Sequence, residues 1–442
     1  MALVCQWSVN LCLIQHMWYS NGMKYSTLFT KTRRQAPANE ESKNAQLLIR
    51  AGFIHKELAG VYTILPLGLR VMRKIEGVIR DEMNGLGAHE LFASALQSPD
   101  LWSQTNRWDA EQVDIWLRTK LQSGSELGLA FTHEEPFTHM MCDHIDSYRD
   151  LPKYIYQFQT KFRNEIRSKS GILRGREFMM KDLYSFSLDQ PQHDSFYEKV
   201  KESYFRIFDR LGLGDDTFLT LASGGSFSRF SHEFQTLSDI GEDTIYLARD
   251  KRIAINKEVM NDEVLADLGI SESELVEHRA VEVGNIFTLG TRFSDALGLS
   301  YKNENGESIP VFMGSYGIGV GRVMGMIVEM FADDKGIVWP ETVAPFSFHL
   351  ISIDNSAEVL QKTELLYNEL QNNGHEVLWD DRTELSAGQK LADADLLGIP
   401  TRIVISERTL VDDSFEVKPR GDERSQLMSF FERDRFFGKK GD

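Results

Sequence analysis

Apolar and polar positions alternate from residue 154 to 162, give way to a basic stretch holding Gly171 and Gly175, and return to an apolar run that reaches Phe186. Alternation on both sides of a glycine-bearing loop predicts two antiparallel strands joined by a long basic loop. Residues 39–52 carry Leu47, Leu48 and Ile49 and stop at Gly52, which predicts an amphipathic helix. A Pro-Gly turn at 66–68 leads into a long helix closed by Gly85 and Gly87, and the apolar run 91–96 predicts a strand that stops at Pro99. After an E-E-P-F start, Phe137, Met140, Met141 and Ile145 predict a helix that packs by that face. Residues 194–212 predict a charged surface helix, and the acidic stretch 243–281 reads as helical too. Glycines at 314, 317, 319 and 321 precede VMGMIVEM, whose spacing predicts a buried helix with Arg322 at a strand-to-helix junction.

Beyond Trp339 and Pro340 the pattern resets, which places a domain boundary at 340–345. FHLISI, EVLWDD and RIVIS predict strands that alternate with helices at 357–372 and from Gln389 onward, the order of a βα domain. V-K-P-R at 417–420 reads as an exposed edge strand.

Composition narrows the field. A chain of 442 residues, 42% hydrophobic and 26% charged, has room for two or three domains with ample core. A net charge of -17 argues against a uniformly basic nucleic-acid surface and leaves room for a local basic face, which the 163–176 loop supplies. Cys5, Cys12 and Cys142 form neither a disulfide framework nor a C-x-x-C pair, so a reducing compartment is expected. Residues 1–22 are apolar and aromatic, with no Lys or Arg before Lys24. They lack the basic start of a secretory signal and the arginines of a mitochondrial presequence, and are too polar for a membrane span. They are expected to be an extension of unknown role or the product of a mis-chosen start.

The chemistry concentrates in KFRNEIRSKSGILRGREFMMKDLYSF, residues 161–186. Arg163, Arg167, Arg174 and Arg176 offer planar forks suited to phosphate oxygens, Glu165 adds a carboxylate, and Phe178 offers a face for a nucleobase. A solvated basic hairpin explains the same letters. His133, His139, Cys142 and His144 are donor types at uneven spacing, and the helix-packing reading is preferred to a zinc site. Thr132 and Glu135 fit a capping box, whereas Thr132 and Glu134 offer a hydroxyl and a carboxylate for an ammonium.

The succession F-R-x-E, R-x-x-x-F and G-x-G-x-G-R resembles motifs 2 and 3 of class II aminoacyl-tRNA synthetases, and the surrounding sequence is similar to the prolyl-tRNA synthetases of bacterial type. The resemblance runs from Met23 to the C-terminus. It implies an α/β chain: an α+β catalytic domain at 23–340, with an antiparallel sheet and flanking helices, followed by an α/β anticodon-binding domain at 341–442. Many bacterial relatives carry a large editing insertion, where this chain has only the reduced stretch 243–281, as in a short, alphaproteobacterial or mitochondrial-like form.

The implied activity is proline–tRNA ligation, in which L-proline is activated by ATP with Mg2+ and passed to tRNA(Pro). By the family pattern Arg163, Glu165 and Arg322 are catalytic, and Arg163, Glu165, Arg174, Phe178 and Arg322 bind ATP, with Phe178 stacked on adenine. Thr132, Glu134, Arg163, His232 of the S-H-E-F segment and Ser315 are implied in proline binding. Asn285 stands where relatives carry histidine, and Ser315 where they carry cysteine. Asp381, Arg382, Glu416, Lys418 and Arg420 are implied at the anticodon. The resemblance also implies a homodimer through motif 1, a partner deacylase that edits in trans, no membrane, and a cytoplasmic setting with the mitochondrial matrix left open. Two alternatives stand beside it: a synthetase-like subunit that charges no tRNA, and a synthetase of the same subclass for another amino acid.

Overall fold

The computed structural model describes residues 22–38, 40–166, 168, 170–224 and 230–438. The N-terminal stretch 1–21, with Cys5 and Cys12, and Arg167 lie outside the described residues.

A nine-stranded sheet organises the first part of the chain. Toward one edge of it Lys153–Phe162 and Glu177–Ser187 pair antiparallel from Lys153 opposite Phe186 to Phe162 opposite Glu177, the hairpin that the alternation predicts. Glu177–Ser187 pairs on its other side with Phe312–Gly319, which runs directly into the helix Val320–Phe331. That helix buries Val323, Met324, Ile327 and Val328, so Arg322 sits at the predicted junction. Phe312–Gly319 in turn pairs with the long strand Val276–Gly290, which carries the sheet onward to Phe230–Leu237 and Asp243–Ala248.

Three flanking elements are where the patterns place them. Helix Lys43–Arg50 ends before Gly52, whose φ of 73° is a left-handed stop, and helix Pro66–Gly85 has its proline in the first turn. Helix Gln190–Arg210 is half buried: Phe196, Val200, Tyr204, Ile207 and Phe208 pack under the sheet, so it is no surface helix.

Three expectations need correction. Residues 91–96 form no continuous strand; the chain makes only two-residue strands at His89–Glu90 and Leu96–Gln97, and between them Leu91 and Ala93 dock as single apolar contacts onto a neighbouring core. The acidic stretch 243–281 is mainly strand, with Asp243–Ala248, Ile253–Asn256 and the start of Val276–Gly290 extending the main sheet around one short helix, Asp262–Leu268. Its acidic side chains line solvent and a cavity while Ile245, Leu247 and Ala254 alternate inward with period two. Ser414–Pro419 is not an edge, since Gln426–Ser429 pairs outside it.

The C-terminal sheet has the order Gly22–Lys24, Val377–Asp380, Phe348–Ser352, Thr401–Ile405, Ser414–Pro419, Gln426–Ser429. Its first four strands run parallel, with the helices Ala357–Asn372 and Ala387–Leu397 as crossovers. The outermost strand comes from the beginning of the chain, so the division expected at residue 340 does not part the sequence cleanly. The two sheets share one hydrophobic core that runs from Phe53 and Val71 through Trp339 to Leu396 and Leu397. Polar ties reinforce it: Arg70 donates to Pro345 O at 2.7 Å and pairs with Glu376 at 2.6 Å, and Arg420 pairs with Asp333 at 2.7 Å.

Candidate active site

Residues 163–176 leave the hairpin and return to it, and Arg163 N donates to Arg176 O at 2.8 Å to close the loop. Gly171 lies at φ 63°, and a Cβ there would stand 2.3 Å from Asn44 Oδ1. Only glycine lets the loop press onto helix Lys43–Arg50. Asn44 then staples it, donating to Ser170 O at 3.2 Å and accepting from Ile172 N at 3.1 Å. Leu173 O, presented by this loop, accepts from Arg322 Nε at 2.9 Å, which joins the loop to the glycine-rich junction.

Two adjoining cavities result. One, of about 300 Å³, is lined by Arg163, Glu165, Arg174, Glu233, Glu282 and Arg322 among others. Arg322 Nη1 pairs with Glu282 at 2.8 Å. Arg174 Nε pairs with Glu165 at 2.8 Å, and its Nη1 reaches Glu242. Burial and the Glu282 carboxylate push the Glu233 carboxyl up to about 8. Burial pulls Glu282 the same way, but Arg322, the Asn285 amide and Arg163 together outweigh it and hold Glu282 below the usual range.

The second cavity, of about 320 Å³, is lined by Thr132, Glu134, Arg163, Tyr184, Asn285 and Ser315 among others. Glu134 Oε1 accepts from Thr132 at 2.8 Å, Ser315 at 3.3 Å and Tyr184 at 3.4 Å, so three hydroxyls aim one carboxylate. Arg107, almost fully buried, holds Glu134 Oε2 at 3.3 Å and both oxygens of Glu135 at 3.0 Å. Helix Glu134–Met141 begins with His133 as cap and no side-chain cap bond, so the capping-box reading of Thr132 with Glu135 is not realised. Gly317 faces this cavity, and a Cβ there would meet Asn285 Oδ1 at 2.8 Å.

Arg163 lines both cavities. Its guanidinium sits 5.2 Å from the Phe178 ring and donates to Phe131 O at 3.4 Å, while Nε is buried with no hydrogen-bond partner among the described residues. Burial and the neighbouring Arg322 charge both lower its pKa. A cation left this underbonded is poised to take an anion.

The structure gathers Thr132, Glu134, Arg163, Glu165, Arg174, Ser315 and Arg322 around these two cavities and sets others apart. His232 lines neither. It lies on the far face of Phe230–Leu237, with its Nδ1 at 2.8 Å from the Tyr197 hydroxyl in a separate cavity with Asp194 and Glu198. Side chains alternate along a strand, so Glu233 reaches the site and His232 cannot; the proline-binding role expected of His232 is withdrawn. Phe178 touches Arg163 and is not among the residues lining the larger-charge cavity.

The residues expected at the anticodon are mostly engaged. Asp381 accepts from Ser26 N at 2.8 Å and Ser26 Oγ at 2.6 Å. Arg382 pairs with Asp380 at 2.6 Å and Asp393 at 2.9 Å and lies 3.7 Å over the Tyr25 ring. Arg420 is 7% exposed and tied to Asp333, and Lys418 is buried. In this structure Asp381, Arg382 and Arg420 hold the N-terminal segment and the domain seam. Glu416 remains partly accessible.

Sequence reasoning passed over Asn44, Arg107, Tyr184 and Glu282, since each acts through a partner distant in the chain. Of the histidines and cysteine weighed for zinc, His133 Nδ1 lies 2.5 Å from Lys161 Nζ, and Cys142 bonds to Thr138 O at 3.4 Å. Among the described residues no group of three or more His, Cys, Asp or Glu is spaced to hold a metal ion. Likewise no helix among them is long and apolar enough to cross a membrane.

An antiparallel sheet with an arginine-bearing hairpin loop, a glycine-rich strand entering a helix and an appended α/β domain defines a class II aminoacyl-tRNA synthetase. The class II core domain of tRNA synthetases (G, H, P, S and T) matches residues 117–331, and an anticodon-binding domain matches 342–435. The chain belongs to the proline–tRNA ligase family. It is 37% identical over 432 residues to the Proline–tRNA ligase of Parvibaculum lavamentivorans, covering 92% of this chain and 98% of that relative. With the Proline–tRNA ligase of Bacillus cytotoxicus it shares 32% identity over 554 aligned positions, 91% of this chain and 97% of that relative. That alignment is longer than the chain itself, so the Bacillus protein carries residues that this one lacks. A prolyl-tRNA synthetase structure from Cryptosporidium parvum, complexed with halofuginone and AMPPNP, shares the fold at TM-score 0.72 and 17% identity, over 88% of this chain and 74% of that one. Members of this class use ATP, and the family's reaction is the joining of proline to tRNA.

Proposed function

We propose that Arg163 is the hinge of the reaction, because it alone of the site's arginines borders both cavities. The cavity around Glu134 takes L-proline, whose secondary ammonium meets the Glu134 carboxylate and the Thr132 and Ser315 hydroxyls, while shape selects the ring. The cavity around Arg174 and Arg322 takes ATP, with Arg322 and Arg174 on the phosphate tail and Glu165 beside the base or the tRNA end. Arg163 lies between the proline carboxylate and the α-phosphate. A carboxylate oxygen attacks the α-phosphorus in line, the bond to pyrophosphate breaks, and prolyl-adenylate forms. A 3′-terminal ribose hydroxyl of tRNA(Pro) then attacks the carbonyl, gives up its proton, and AMP leaves. Positioning and charge stabilisation by the guanidinium groups supply most of the acceleration.

Mg2+ fits the same cavity. Magnesium binds through one or two carboxylates together with phosphates, and Glu233 and Glu282 stand beside the Arg322 guanidinium. It would neutralise phosphate charge as pyrophosphate departs. Two further partners accompany this reading. Exposed Phe92 and Leu96 follow helix Pro66–Gly85 and supply apolar surface for a homodimer. The reduced stretch 243–281 leaves editing to a separate deacylase. Pyrophosphate exchange measured with proline, threonine, histidine and glycine tests the assignment; exchange with proline alone is expected, and exchange with none would favour a non-charging subunit.

A further inference from the structure

A further cavity lies outside the site. At about 730 Å³, it runs along the seam where the N-terminal segment meets helix Ala387–Leu397 of the C-terminal domain. Lys31, Arg33, Arg34, Arg50 and Lys335 line it, and none of these five makes an ion pair among the described residues. Arg50 Nε is buried with no hydrogen-bond partner among the described residues. The carboxylates nearby are mostly consumed: Asp393 accepts from Thr32 at 2.7 Å and pairs with Arg382, and Asp395 pairs with Arg402 at 3.0 Å. Glu384 alone of them has no ion pair among the described residues, which leaves a surplus of four positive charges. On a chain of net charge -17 such a concentration is exceptional.

The groove also leads somewhere. Thr30, Lys31 and Arg33 are shared with a second cavity of about 540 Å³ that reaches His55 and Thr63 on the hairpin Ile54–Leu58 and Val61–Ile64. The turn of that hairpin touches the loop of the site, where Gly60 O accepts from Arg176 N at 2.7 Å. Phe29, 74% exposed, stands beside the strip. A continuous groove, basic from the C-terminal domain as far as Lys31 and Arg33, thus leads toward the mouth of the candidate active site.

We propose that this path is a backbone-binding surface for tRNA, with Lys31, Arg33, Arg34, Arg50 and Lys335 set against successive phosphates between its two ends. The inference rests on the ligase reading. Duplex RNA is gripped through phosphates and shape, and neutralised phosphates release counterions, so affinity falls with salt in proportion to the contacts made. A small phosphorylated ligand would fill the cavity without needing the strip beyond it.

The test compares two triple variants of the full chain that lose the same charge. One is Lys31→Gln/Arg33→Gln/Arg34→Gln; the other is Lys199→Gln/Lys257→Gln/Lys302→Gln at exposed positions elsewhere. Proline-dependent pyrophosphate exchange needs no tRNA and should be unchanged in both. Binding of a tRNA(Pro) transcript should weaken at least tenfold in the groove variant and less than twofold in the other. The slope of log affinity against log salt should flatten by roughly two to three in the groove variant only. Equal weakening in both variants, or none in either, overturns the groove. Absence of exchange in the unsubstituted chain would instead sink the ligase reading, and binding of tRNA by the two variants would still decide the surface.

Discussion

The Arg163 guanidinium feels the charge of Arg322 across a shared cavity, although one residue opens the hairpin loop, the other lies in the first turn of helix Val320–Phe331, and they are far apart in the chain. Glu282 anchors Arg322 at 2.8 Å, and Arg163 makes no ion pair among the described residues. An anion bound between them relieves a repulsion that the free protein carries.

Arg163→Ala should therefore abolish activation without harming the fold. We expect proline-dependent pyrophosphate exchange to fall by about a thousandfold, the scale for losing a principal charge-stabilising donor. The melting temperature should be no lower, because a desolvated cation and its repulsion disappear together. Retained exchange would show that the α-phosphate is held elsewhere.

Arg174 is latched by Glu165 and Glu242 in the free protein. ATP must displace at least the outer latch, so its apparent affinity is reduced by the latched fraction. Glu242→Gln should lower KM for ATP about two- to fivefold with kcat little changed. A raised KM would mean that Glu242 contributes to binding.

Glu233 carries a folded pKa of about 8, far above the unfolded carboxyl. Below the ordinary carboxylate range both states hold the proton; between there and about 8 only the folded state does. Stability from this group is thus complete at low pH and is lost as the pH rises through that window. Thermal melts from pH 5 to 9 should show Glu233→Gln gaining on the parent as pH rises, and parallel curves would refute the assignment.

Arg382→Ala leaves Asp380, whose side chain is fully buried, without its ion partner and strips the cover from Tyr25. Breaking such a pair should cost about 3 kcal/mol, read by urea unfolding. Aminoacylation should suffer more than pyrophosphate exchange, because the damage lies in the C-terminal domain.

A pocket that admits proline excludes alanine only by the lost methylenes, worth about 1 to 3 kcal/mol. Purified enzyme should therefore accumulate alanyl-tRNA(Pro) on prolonged incubation with alanine. Rapid deacylation by the chain itself would overturn this expectation and place an editing centre within it.

Much of the architecture was legible wherever one period dominates. The hairpin around residues 163–176, the glycine-rich strand before Arg322 and the βα alternation after residue 340 all follow from local spacing. The acidic 243–281 stretch misled because charge on one face concealed a period of two. His232 went astray by one position: its neighbour Glu233 faces the site, and parity along a strand cannot be read without knowing which face is buried. The structural partners of Asp381 and Arg382 were not legible because Ser26 and Tyr25 lie at the opposite end of the sequence. Glu282 was missed for the same reason, since its meaning comes only from Arg322.

Strand Gly22–Lys24 is the outer rail of a sheet whose other members are made some three hundred residues later. During synthesis this rail must wait, already off the ribosome, until Val377–Asp380 emerges to receive it. A gene fragment encoding only the last domain would express a sheet with a naked flank, prone to pair with its own copies. Grafting a copy of the opening segment onto that fragment should restore a discrete, soluble unit.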